Sequence, residues 1–461
     1  MKSAAKYLKK PGIISLGGGL PASDYFPFEE LSIKVPNPTP ILPQQNGHAE
    51  HSILTAGKHD LAEGKGLYDI ATAFQYGQGH GAAQFLRWMV EHTEIVHDPP
   101  YRDWGCTMTI GSTSATDMAF RMFCSPGDWI LTEQYTFPTM VQTVRPMGVR
   151  VAAVEVDADG LMATSLDDVL SNWDEKKRGG PKPFVLYTVP TGQNPTGSTQ
   201  PLERRKAIYA VAQKHDEYIL EDEPYYFLQM EPYTGPDAPD VPPPASYEEF
   251  LEALVPSFLS MDVDGRVMRF DSFSKVIAPG SRVGWITASE QICERYRNHS
   301  DVSTQGPSGI SQLVLFKLLD DHWGHAGYLD WLIHIRMEYT ERRNAILDAC
   351  EKYLPKEFVS WVAPIGGMFH WMEIDWKKHP DYTRKSLEEI EEEIFLMNVE
   401  HGTLLMRGSW FMAEHGIEND KMFFRATYAA APFDKIKEAI KRFGDAVRES
   451  FGVAPFANGS I

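Results

Sequence analysis

Cysteine is scarce in this chain, and the four cysteines that it has are scattered. They stand at positions 106, 124, 293 and 350 of 461 residues and form no CxxC pair or Cys/His cluster. Structural zinc sites and disulfide frameworks need clustered or regularly spaced cysteines, so the sequence predicts neither. Dispersed cysteines are typical of a reducing compartment, and we therefore expect a cytoplasmic protein.

Net positive charge and long apolar runs are also missing. The chain carries 63 acidic and 44 basic residues, which gives a formal net charge of −19. Nucleic acids and anionic membranes are bound through net basic faces, so both are disfavoured as partners. No run is long enough to cross a bilayer, and no signal-peptide pattern is present. With 43% hydrophobic residues, the sequence predicts a soluble globular protein with small-molecule partners.

What the chain does have is a regular alternation of strand-like and helix-like segments. Between residues 101 and 282, short apolar runs such as Trp129–Thr132 and Tyr218–Glu221 alternate with helical patterns such as Leu202–His215. This alternation predicts an α/β fold with a mostly parallel central sheet. A long helical pattern from about Trp323 leads into further strands and helices, which we interpret as a smaller α+β domain.

The same patterns divide the chain into three parts. We expect an N-terminal segment, 1–60, that contributes to the small domain, a large domain over 61–324 and a C-terminal small domain over 325–461. A strand-like run, Ile13–Pro21, opens the first part. A proline-rich stretch at 233–245 interrupts the second part, and we expect a surface excursion there because proline cannot serve a central strand.

The stretch Ser272-Phe273-Ser274-Lys275, followed by Arg282, is the most informative part of the sequence. A lysine that forms an imine needs a partly desolvated place that favours its neutral amine. Two hydroxyls and a guanidinium beside it can bind a phosphate. The combination indicates an anchor for pyridoxal 5'-phosphate (PLP), although the tetrapeptide alone is more often a loop with a solvated lysine.

Polar groups also follow three other predicted strands. The segment Gly111–Ala115 opens a helix, whose N-terminal N–H groups can bind a phosphate, although a simple Ser/Thr cap explains it equally well. One carboxylate of Glu221–Glu223 can pair with a protonated pyridine nitrogen, and a helix cap or solvated turn is the alternative. In the turn Thr191–Gly197, Asn194 is a rigid donor suited to the phenolate oxygen of the cofactor.

Together these motifs resemble one protein family. In chain order they are Asn194-Pro195-Thr196-Gly197, Asp222-x-Pro224-Tyr225, and Ser272-x-Ser274-Lys275 with Arg282. This ordered set resembles the fold-type I PLP-dependent aminotransferases. Within that family the chain is similar to the branch of fungal aromatic-amino-acid aminotransferases and kynurenine/2-aminoadipate aminotransferases, through segments 18–21, 258–267 and 424–426. The similarity extends over nearly the whole chain.

The resemblance implies roles for the residues that match its motifs. Lys275 would bond to the cofactor and act as the base that moves the proton during catalysis. Asp222 would pair with the pyridine nitrogen, while Asn194 and Tyr225 would hold the phenolate oxygen. The residues implied to cradle the phosphate are Thr113, Ser114, Ala115, Ser272, Ser274 and Arg282.

Aromatic residues complete the cofactor site that the resemblance implies. An aromatic ring stacks on the cofactor in this family, for which we choose Phe137, with Tyr135 as the alternative. Tyr76 resembles a tyrosine that reaches the phosphate of the partner subunit, which implies a homodimer. Tyr68 and Tyr76 are expected to line the substrate pocket.

The resemblance also implies substrate-binding residues. Arg425 resembles the arginine that clamps the α-carboxylate of the substrate, and its planar fork suits a carboxylate better than lysine would. Asn194 and Gly18 are expected to contact the substrate as well. Family members have a mobile covering arm ahead of the segment 18–21. Because 1–11 alone precede the strand-like run here, we expect a shorter arm or a trimmed chain.

From these implications we expect a PLP-dependent aminotransferase with a ping-pong mechanism. It would take the amino group from an aromatic L-amino acid, with kynurenine and 2-aminoadipate as further donors, and pass it to 2-oxoglutarate. A PLP-dependent C–S lyase or an aminocyclopropane-carboxylate-synthase-like enzyme would use the same motifs. A non-catalytic PLP-sensing domain of a transcription regulator is disfavoured, since it calls for a basic winged-helix region.

Overall fold

The fold is built from strands and helices that closely follow the sequence pattern. The structure is a computed structural model, and it describes residues 10–12, 14, 16, 17, 19–37, 51–236, 239, 241–414, 416, 417 and 419–456. Its strands are β1 (Glu30–Pro36), β2 (His51–Gly57), β3 (Trp104–Thr109), β4 (Trp129–Glu133), β5 (Arg150–Val154), β6 (Val156–Asp157), β7 (Gly160–Leu161), β8 (Val185–Thr188), β9 (Tyr218–Asp222), β10 (Val267–Ser272), β11 (Gly284–Ser289), β12 (Val359–Trp361), β13 (Phe369–Ile374), β14 (Met406–Arg407) and β15 (Met422–Thr427). Its α-helices are α1 (Ile70–Ala73), α2 (Ala83–His97), α3 (Gly111–Phe123), α4 (Pro138–Val144), α5 (Ala163–Ser171), α6 (Glu175–Arg178), α7 (Leu202–His215), α8 (Tyr247–Glu252), α9 (Glu290–Ser300), α10 (Gly309–Phe316), α11 (Gly324–Tyr353), α12 (Leu387–Glu400) and α13 (Phe433–Ser450).

The larger of the two main sheets is mostly parallel. Among the described residues it has seven strands in the order β3-β11-β10-β9-β8-β4-β5. Strands β10, β9, β8, β4 and β5 run parallel to one another, whereas β11 runs antiparallel to both of its neighbours. This topology confirms the predicted α/β fold with a mostly parallel central sheet.

The central strands are buried on both faces, which explains their nearly continuous apolar sequences. Every residue of β8 and of β10 is buried. Helix α3 covers one face and places Ala115, Ala119 and Phe120 in the same core cluster as Met268 and Ile286. The sheet is therefore a rigid platform for the loops at its edge.

Parallel pairing brings the carboxyl ends of several strands to one edge of this sheet. Thr188 at the end of β8 lies opposite Glu221, and Asp222 at the end of β9 lies opposite Phe270. The ligand sites of open parallel sheets lie outside this edge. The segments that follow β3, β4, β8, β9 and β10 therefore converge there, and these segments carry most of the predicted site residues.

A second, smaller sheet is antiparallel, in the order β12-β13-β15-β14. Helix α13 covers it through residues such as Phe443, whose ring lies 5.4 Å from that of Phe424 on β15. The long helix α11 precedes this sheet, as the pattern from Trp323 predicts. These elements confirm the smaller α+β part. Arg425 stands on β15 opposite Trp371 of β13.

The N-terminal hairpin of β1 and β2 packs beside the large sheet. Leu31, Val35 and Leu54 contact the core cluster that includes Phe85 and Trp88 of α2. The division into 1–60, 61–324 and 325–461 stays a prediction, because these contacts alone do not define domain boundaries. None of the described helices has both the length and the apolar character that a membrane span requires.

One predicted element differs from the structure. Over its described residues, 14, 16, 17 and 19–21, the strand-like run Ile13–Pro21 forms no strand. Ile14 and Leu16 are 89% and 95% exposed, so an apolar sequence here has no partner strand within the described part of the chain. The proline-rich stretch 233–245 forms neither helix nor strand over its described residues, as predicted.

Candidate active site

A cavity of about 430 Å³ opens at the carboxyl edge of the large sheet and is closed on one side by the small sheet. Ten residues predicted for the site line it, namely Thr113, Phe137, Asn194, Asp222, Tyr225, Ser272, Ser274, Lys275, Arg282 and Arg425. Another cavity, of about 320 Å³, lies at the amino ends of the strands beside Tyr218 and Ser289 and holds none of these ten. The sequence motifs therefore meet in one place.

Lys275 lies three residues after the end of β10 and is partly buried. Burial lowers the pKa of its amine, and the nearby Arg282 lowers it further, while Asp222 acts in the opposite direction. A lowered pKa increases the fraction of neutral amine, which is the nucleophilic form. The structure thus provides the partly desolvated lysine that imine formation needs.

Hydroxyl and guanidinium groups gather at one end of the cavity. The Ser272 hydroxyl donates a hydrogen bond to the Ser274 hydroxyl at 2.9 Å, and Arg282 Nη1 donates to the same Ser274 oxygen at 3.4 Å. Arg282 Nη2 donates to the carbonyl of Ile110 at 3.0 Å, which places the guanidinium beside the start of α3. These donors and the helix N-terminus form a site suited to a dianionic phosphate.

Helix α3 begins at Gly111, a position that only glycine fits well. Its φ of +75° lies in the left-handed region, and a Cβ atom there would stand 2.5 Å from Arg282 Nη2. Glycine therefore lets the guanidinium approach the first turn, where the leading N–H groups have no intrahelical partner. Ser112 and Thr113 of this turn line the cavity.

Two residues predicted for the phosphate cradle lie away from the cavity wall. Ser114 and Ala115 do not line the cavity, and Ala115 is fully buried in the core. The backbone N–H of Ala115 is the fifth of the helix and so bonds within it. Ser112 lies in the first turn and lines the cavity, although it was not among the predicted ligands.

Asp222 is a buried carboxylate in which one oxygen accepts a hydrogen bond and the other does not. Its Oδ2 accepts a hydrogen bond from the Tyr187 hydroxyl at 2.7 Å. Its Oδ1 is buried and has no hydrogen-bond partner among the described residues. Burial raises the pKa of Asp222 to about 6, and the Tyr187 hydrogen bond opposes that rise. Tyr187 also lines the cavity and was missed by sequence reasoning; a hydroxyl within the apolar run of β8 is the signal that could have found it.

Asn194 and Arg425 connect the two sheets across the cavity. Arg425 Nη1 donates a hydrogen bond to Asn194 Oδ1 at 2.6 Å. The guanidinium packs against two phenyl rings, with its Cζ 4.5 Å from the centre of Phe369 and 4.6 Å from that of Phe411. Its Nε is buried without a hydrogen-bond partner in the described part of the chain. Arg425 is thus a positively charged group in a fixed position at the cavity wall, with N–H donors that remain available for a ligand.

Aromatic residues separate into those that face the cavity and those that do not. Phe137 lines it just before α4, whereas Tyr135 packs against Trp371 and donates its hydroxyl to Asn419 at 2.9 Å. This arrangement favours Phe137 over Tyr135 as the stacking ring. Tyr225 lines the cavity, and burial together with the charge of Asp222 raises the pKa of its hydroxyl.

Three predicted residues lie apart from this cavity or cannot be placed. Tyr68 is 2% exposed and packs against Phe316. It does not line this cavity, although it was expected to line the substrate pocket. Tyr76 is 68% exposed and also lies outside the cavity lining. Gly18 lies outside the described residues.

The residues present fit PLP. The unpartnered oxygen of Asp222 suits a protonated ring nitrogen, and the donors of Ser272, Ser274 and Arg282 suit a phosphate. Lys275 lines the same cavity with a lowered pKa. Within the described ranges, no group of three or more His, Cys, Asp or Glu residues could hold a metal ion.

Comparison with known proteins agrees with this geometry. The family model for class I and II aminotransferases matches residues 44–443. An aromatic amino acid aminotransferase of Schizosaccharomyces pombe is 47% identical over 95% of this chain and 92% of its own length. An L-tyrosine:2-oxoglutarate aminotransferase of Serpula lacrymans is 35% identical over 87% of this chain and 78% of its own length.

A solved structure shares the whole fold. The crystal structure of aminotransferase Aro8 from Candida albicans superposes with a TM-score of 0.91 at 42% identity and covers 98% of this chain and 95% of that chain. These findings confirm the predicted resemblance and the cofactor that goes with it. The chain belongs to the class I and II aminotransferases and is a PLP-dependent transaminase with the fold-type I architecture.

Proposed function

We propose that this transaminase moves the α-amino group of aromatic L-amino acids to 2-oxoglutarate by a ping-pong mechanism. The observation that carries the proposal is Arg425, which is held at the wall of a cavity whose other walls include Met140, Val189, Met368 and Phe369. A fixed guanidinium suits an α-carboxylate, and the apolar walls suit an aromatic side chain. The two relatives are named for activity on aromatic amino acids and on L-tyrosine with 2-oxoglutarate, which supports the same substrates.

The chain's own groups divide the chemistry among them. When bound, PLP supplies an electron sink for the bond that breaks at the substrate α-carbon. Lys275 would take the proton from the substrate α-carbon and deliver it to C4' of the cofactor, and its lowered pKa increases the fraction of neutral amine that can do so. Asp222 holds a positive charge at the ring nitrogen, and Asn194 and Tyr225 donate to the phenolate oxygen. Arg425 binds the α-carboxylate of the amino acid and then that of the oxo acid.

A homodimer is the assembly that we propose. The described N-terminal region exposes several large apolar side chains, with Leu16, Leu20, Tyr25 and Tyr76 being 95%, 60%, 86% and 68% exposed. Such a concentration of apolar surface is unfavourable in water and marks an interface. In the proposed dimer a second copy covers it, and Tyr76 reaches the phosphate in the site of the partner. The free cysteines support a cytoplasmic location.

The experiment that tests the substrate assignment is a comparison of donors with 2-oxoglutarate as acceptor. We expect kcat/KM for L-tyrosine, L-phenylalanine and L-tryptophan to exceed that for L-2-aminoadipate by roughly tenfold, since the apolar walls favour a buried aromatic ring over a charged side chain. Double-reciprocal plots at several acceptor concentrations should be parallel. A higher kcat/KM for 2-aminoadipate would contradict the aromatic preference.

The same assay separates transamination from lyase chemistry. Neither the C–S lyase nor the aminocyclopropane-carboxylate-synthase-like reaction has support among the relatives described above. With a cysteine conjugate as donor, a transaminase yields glutamate, whereas a lyase yields pyruvate, ammonia and a thiol. Thiol release that exceeds glutamate formation would overturn the proposed reaction.

A further inference from the structure

Tyr187 is placed by the sheet directly beside the cofactor-facing carboxylate. In the parallel pair of β8 and β9, Tyr187 lies opposite Leu220, and Asp222 follows Leu220 by two residues on the same face. The Tyr187 side chain is fully buried, and its ring lies 6.2 Å from that of Phe120 on α3. The tyrosine is therefore fixed by packing before any ligand binds.

The Tyr187 hydroxyl occupies one of the two oxygens of Asp222. It donates to Oδ2 at 2.7 Å, while Oδ1 has no partner among the described residues. A single strong donor on one oxygen fixes the plane of a carboxylate and so determines where the second oxygen points. Because both Tyr187 and Asp222 line the cavity, the second oxygen is the one left for a ligand.

Burial and neighbouring carboxylates oppose the ionisation of Asp222, and two hydroxyl groups favour it. Burial is the largest cause of its raised pKa, and the carboxylates of Asp271 on β10 and Glu133 on β4 add to it. Tyr187 lowers the pKa through its hydrogen bond, and the Ser112 hydroxyl at the start of α3 acts in the same direction with a smaller effect. Tyr225, after β9, and Lys275, after β10, lie near Asp222, and the charge of Asp222 acts to raise the pKa of both side chains. Loss of the Tyr187 hydroxyl would therefore favour a neutral Asp222.

We propose that Tyr187 is a positioning residue for the cofactor, which aims Asp222 at the pyridine nitrogen and keeps it ionised at neutral pH. The inference rests on the proposed role of Asp222 as the partner of that nitrogen. Tyr187 acts through Asp222 and takes no proton from the substrate. Its effect is thus on the affinity for the cofactor and on the pH dependence of that affinity.

The test uses the apoprotein and measures the dissociation constant of PLP between pH 5.5 and 8.5, in wild type and in Tyr187→Phe. We expect the dissociation constant of the variant to rise roughly tenfold at pH 7. The pH at which binding weakens on the acid side should also rise, by about one unit. The sign follows because removal of the hydroxyl raises the pKa of Asp222, so its carboxylate is protonated at a higher pH. The ionisations of free PLP are the same for both proteins and cancel in the ratio.

Tyr209→Phe is the matched control. The Tyr209 hydroxyl donates to the buried Asp262 at 2.9 Å, and neither residue lines the cavity. This control should leave the dissociation constant and its pH midpoint unchanged. If the PLP affinity of Tyr187→Phe falls by the same factor at every pH, the role of Tyr187 is purely structural and the proposal is overturned. Wild-type PLP affinity in Tyr187→Phe would also overturn it.

Two further variants keep the outcome decisive. Tyr187→His retains a ring N–H donor, and we expect it to bind PLP more tightly than Tyr187→Phe; equal or weaker binding would overturn the proposal. If Tyr187→Phe does not fold, Tyr187→His is compared with wild type instead. A shifted pH midpoint of PLP binding in Tyr187→His would then support the proposal, and an unshifted one would overturn it. Asp222→Asn should lose affinity more strongly than either. Wild-type affinity in Asp222→Asn would contradict the role of Asp222 itself, whereas its loss with an unaffected Tyr187→Phe would contradict the role of Tyr187 alone.

Discussion

At the scale of single residues, packing holds the charged side chain of Arg425 in the place where the α-carboxylate of the substrate is proposed to bind. Two phenyl rings, those of Phe369 and Phe411, pack against its guanidinium, and Asn194 Oδ1 accepts a hydrogen bond from Nη1. Burial lowers its pKa, although an arginine stays protonated at any physiological pH. The side chain therefore pays little conformational entropy when a carboxylate binds.

We predict that Arg425→Lys lowers kcat/KM for L-tyrosine by roughly 10- to 100-fold, mainly through a higher KM. Lysine keeps the charge but loses the planar fork and the stacking on two rings. Steady-state kinetics with 2-oxoglutarate measure this effect. Arg342→Lys is the matched control, because Arg342 also stacks on a phenyl ring, that of Phe433, without lining the cavity. Equal effects of the two substitutions would contradict the proposed clamp.

The sequence predicted single residues well where they belong to an ordered motif. Lys275, Asp222, Tyr225 and Asn194 all line the cavity, since each follows a strand whose apolar run marks its end. Phe411 was missed because a phenylalanine in an irregular segment carries no local signal. Its position depends on contacts between segments far apart in the chain, such as the hydrogen bond from the Thr136 N–H to the Phe411 carbonyl.

At the scale of elements, the first turn of α3 and the loop that carries Arg282 form one unit. Arg282 has a φ of +52°, and its Nη2 bonds to the carbonyl of Ile110 just ahead of the helix. Gly111 allows this approach. The first turn of α3 and the Arg282 loop thus form the phosphate end of the site together, and they can approach this closely only because residue 111 is glycine.

We predict that Gly111→Ala weakens PLP binding by at least about tenfold. The left-handed conformation costs an alanine roughly 1–2 kcal/mol, and the added Cβ displaces Arg282 as well. Gly127→Ala is the control, since Gly127 has a φ of +98° and open space around its Cα. It should lose a similar amount of stability, measured by thermal unfolding of the apoprotein, without a change in PLP affinity. Unchanged PLP affinity in Gly111→Ala would contradict the account of this turn.

Elements were predictable to the extent that their patterns are periodic. The strands β4 and β9 begin with the apolar runs Trp129–Thr132 and Tyr218–Glu221 and extend one residue beyond them. Helix α3 begins at Gly111, as the segment Gly111–Ala115 predicts, although glycine and serine have low helix propensity. The sequence pattern does not show which residues of this first turn face the cavity, and Ser112 was therefore missed.

At the scale of the whole molecule, the site depends on two sheets and, in the proposed dimer, on two chains. The large sheet provides Lys275 and Asp222, and the small sheet provides Arg425. Tyr76 lies outside the cavity of its own chain and is largely exposed. Tyr76 could be assigned a role only by resemblance, because a contact between two chains would leave no periodic pattern in the sequence.

A hybrid dimer tests whether Tyr76 acts on the partner. One chain carries Tyr76→Ala and the other carries Lys275→Ala, each with a different affinity tag. If Tyr76 serves the partner's phosphate, one of the two sites has both wild-type residues, and we expect about half the wild-type activity per dimer with wild-type PLP affinity. Activity no higher than that of half a Tyr76→Ala dimer, with its weakened PLP affinity, would show that Tyr76 acts within its own chain. Wild-type PLP affinity in the Tyr76→Ala homodimer would show that Tyr76 does not bind the phosphate at all.

The most direct measurement is the absorption spectrum of the purified PLP-bound enzyme during titration with L-phenylalanine and then with 2-oxoglutarate. The account predicts that the band of the lysine-bound cofactor gives way to that of the aminated cofactor and returns with the oxo acid. Lys275→Ala should show no lysine-bound band and no cycle under the same conditions. A band that persists with every aromatic donor would contradict the substrate assignment, and a normal cycle in Lys275→Ala would contradict the central role of this lysine.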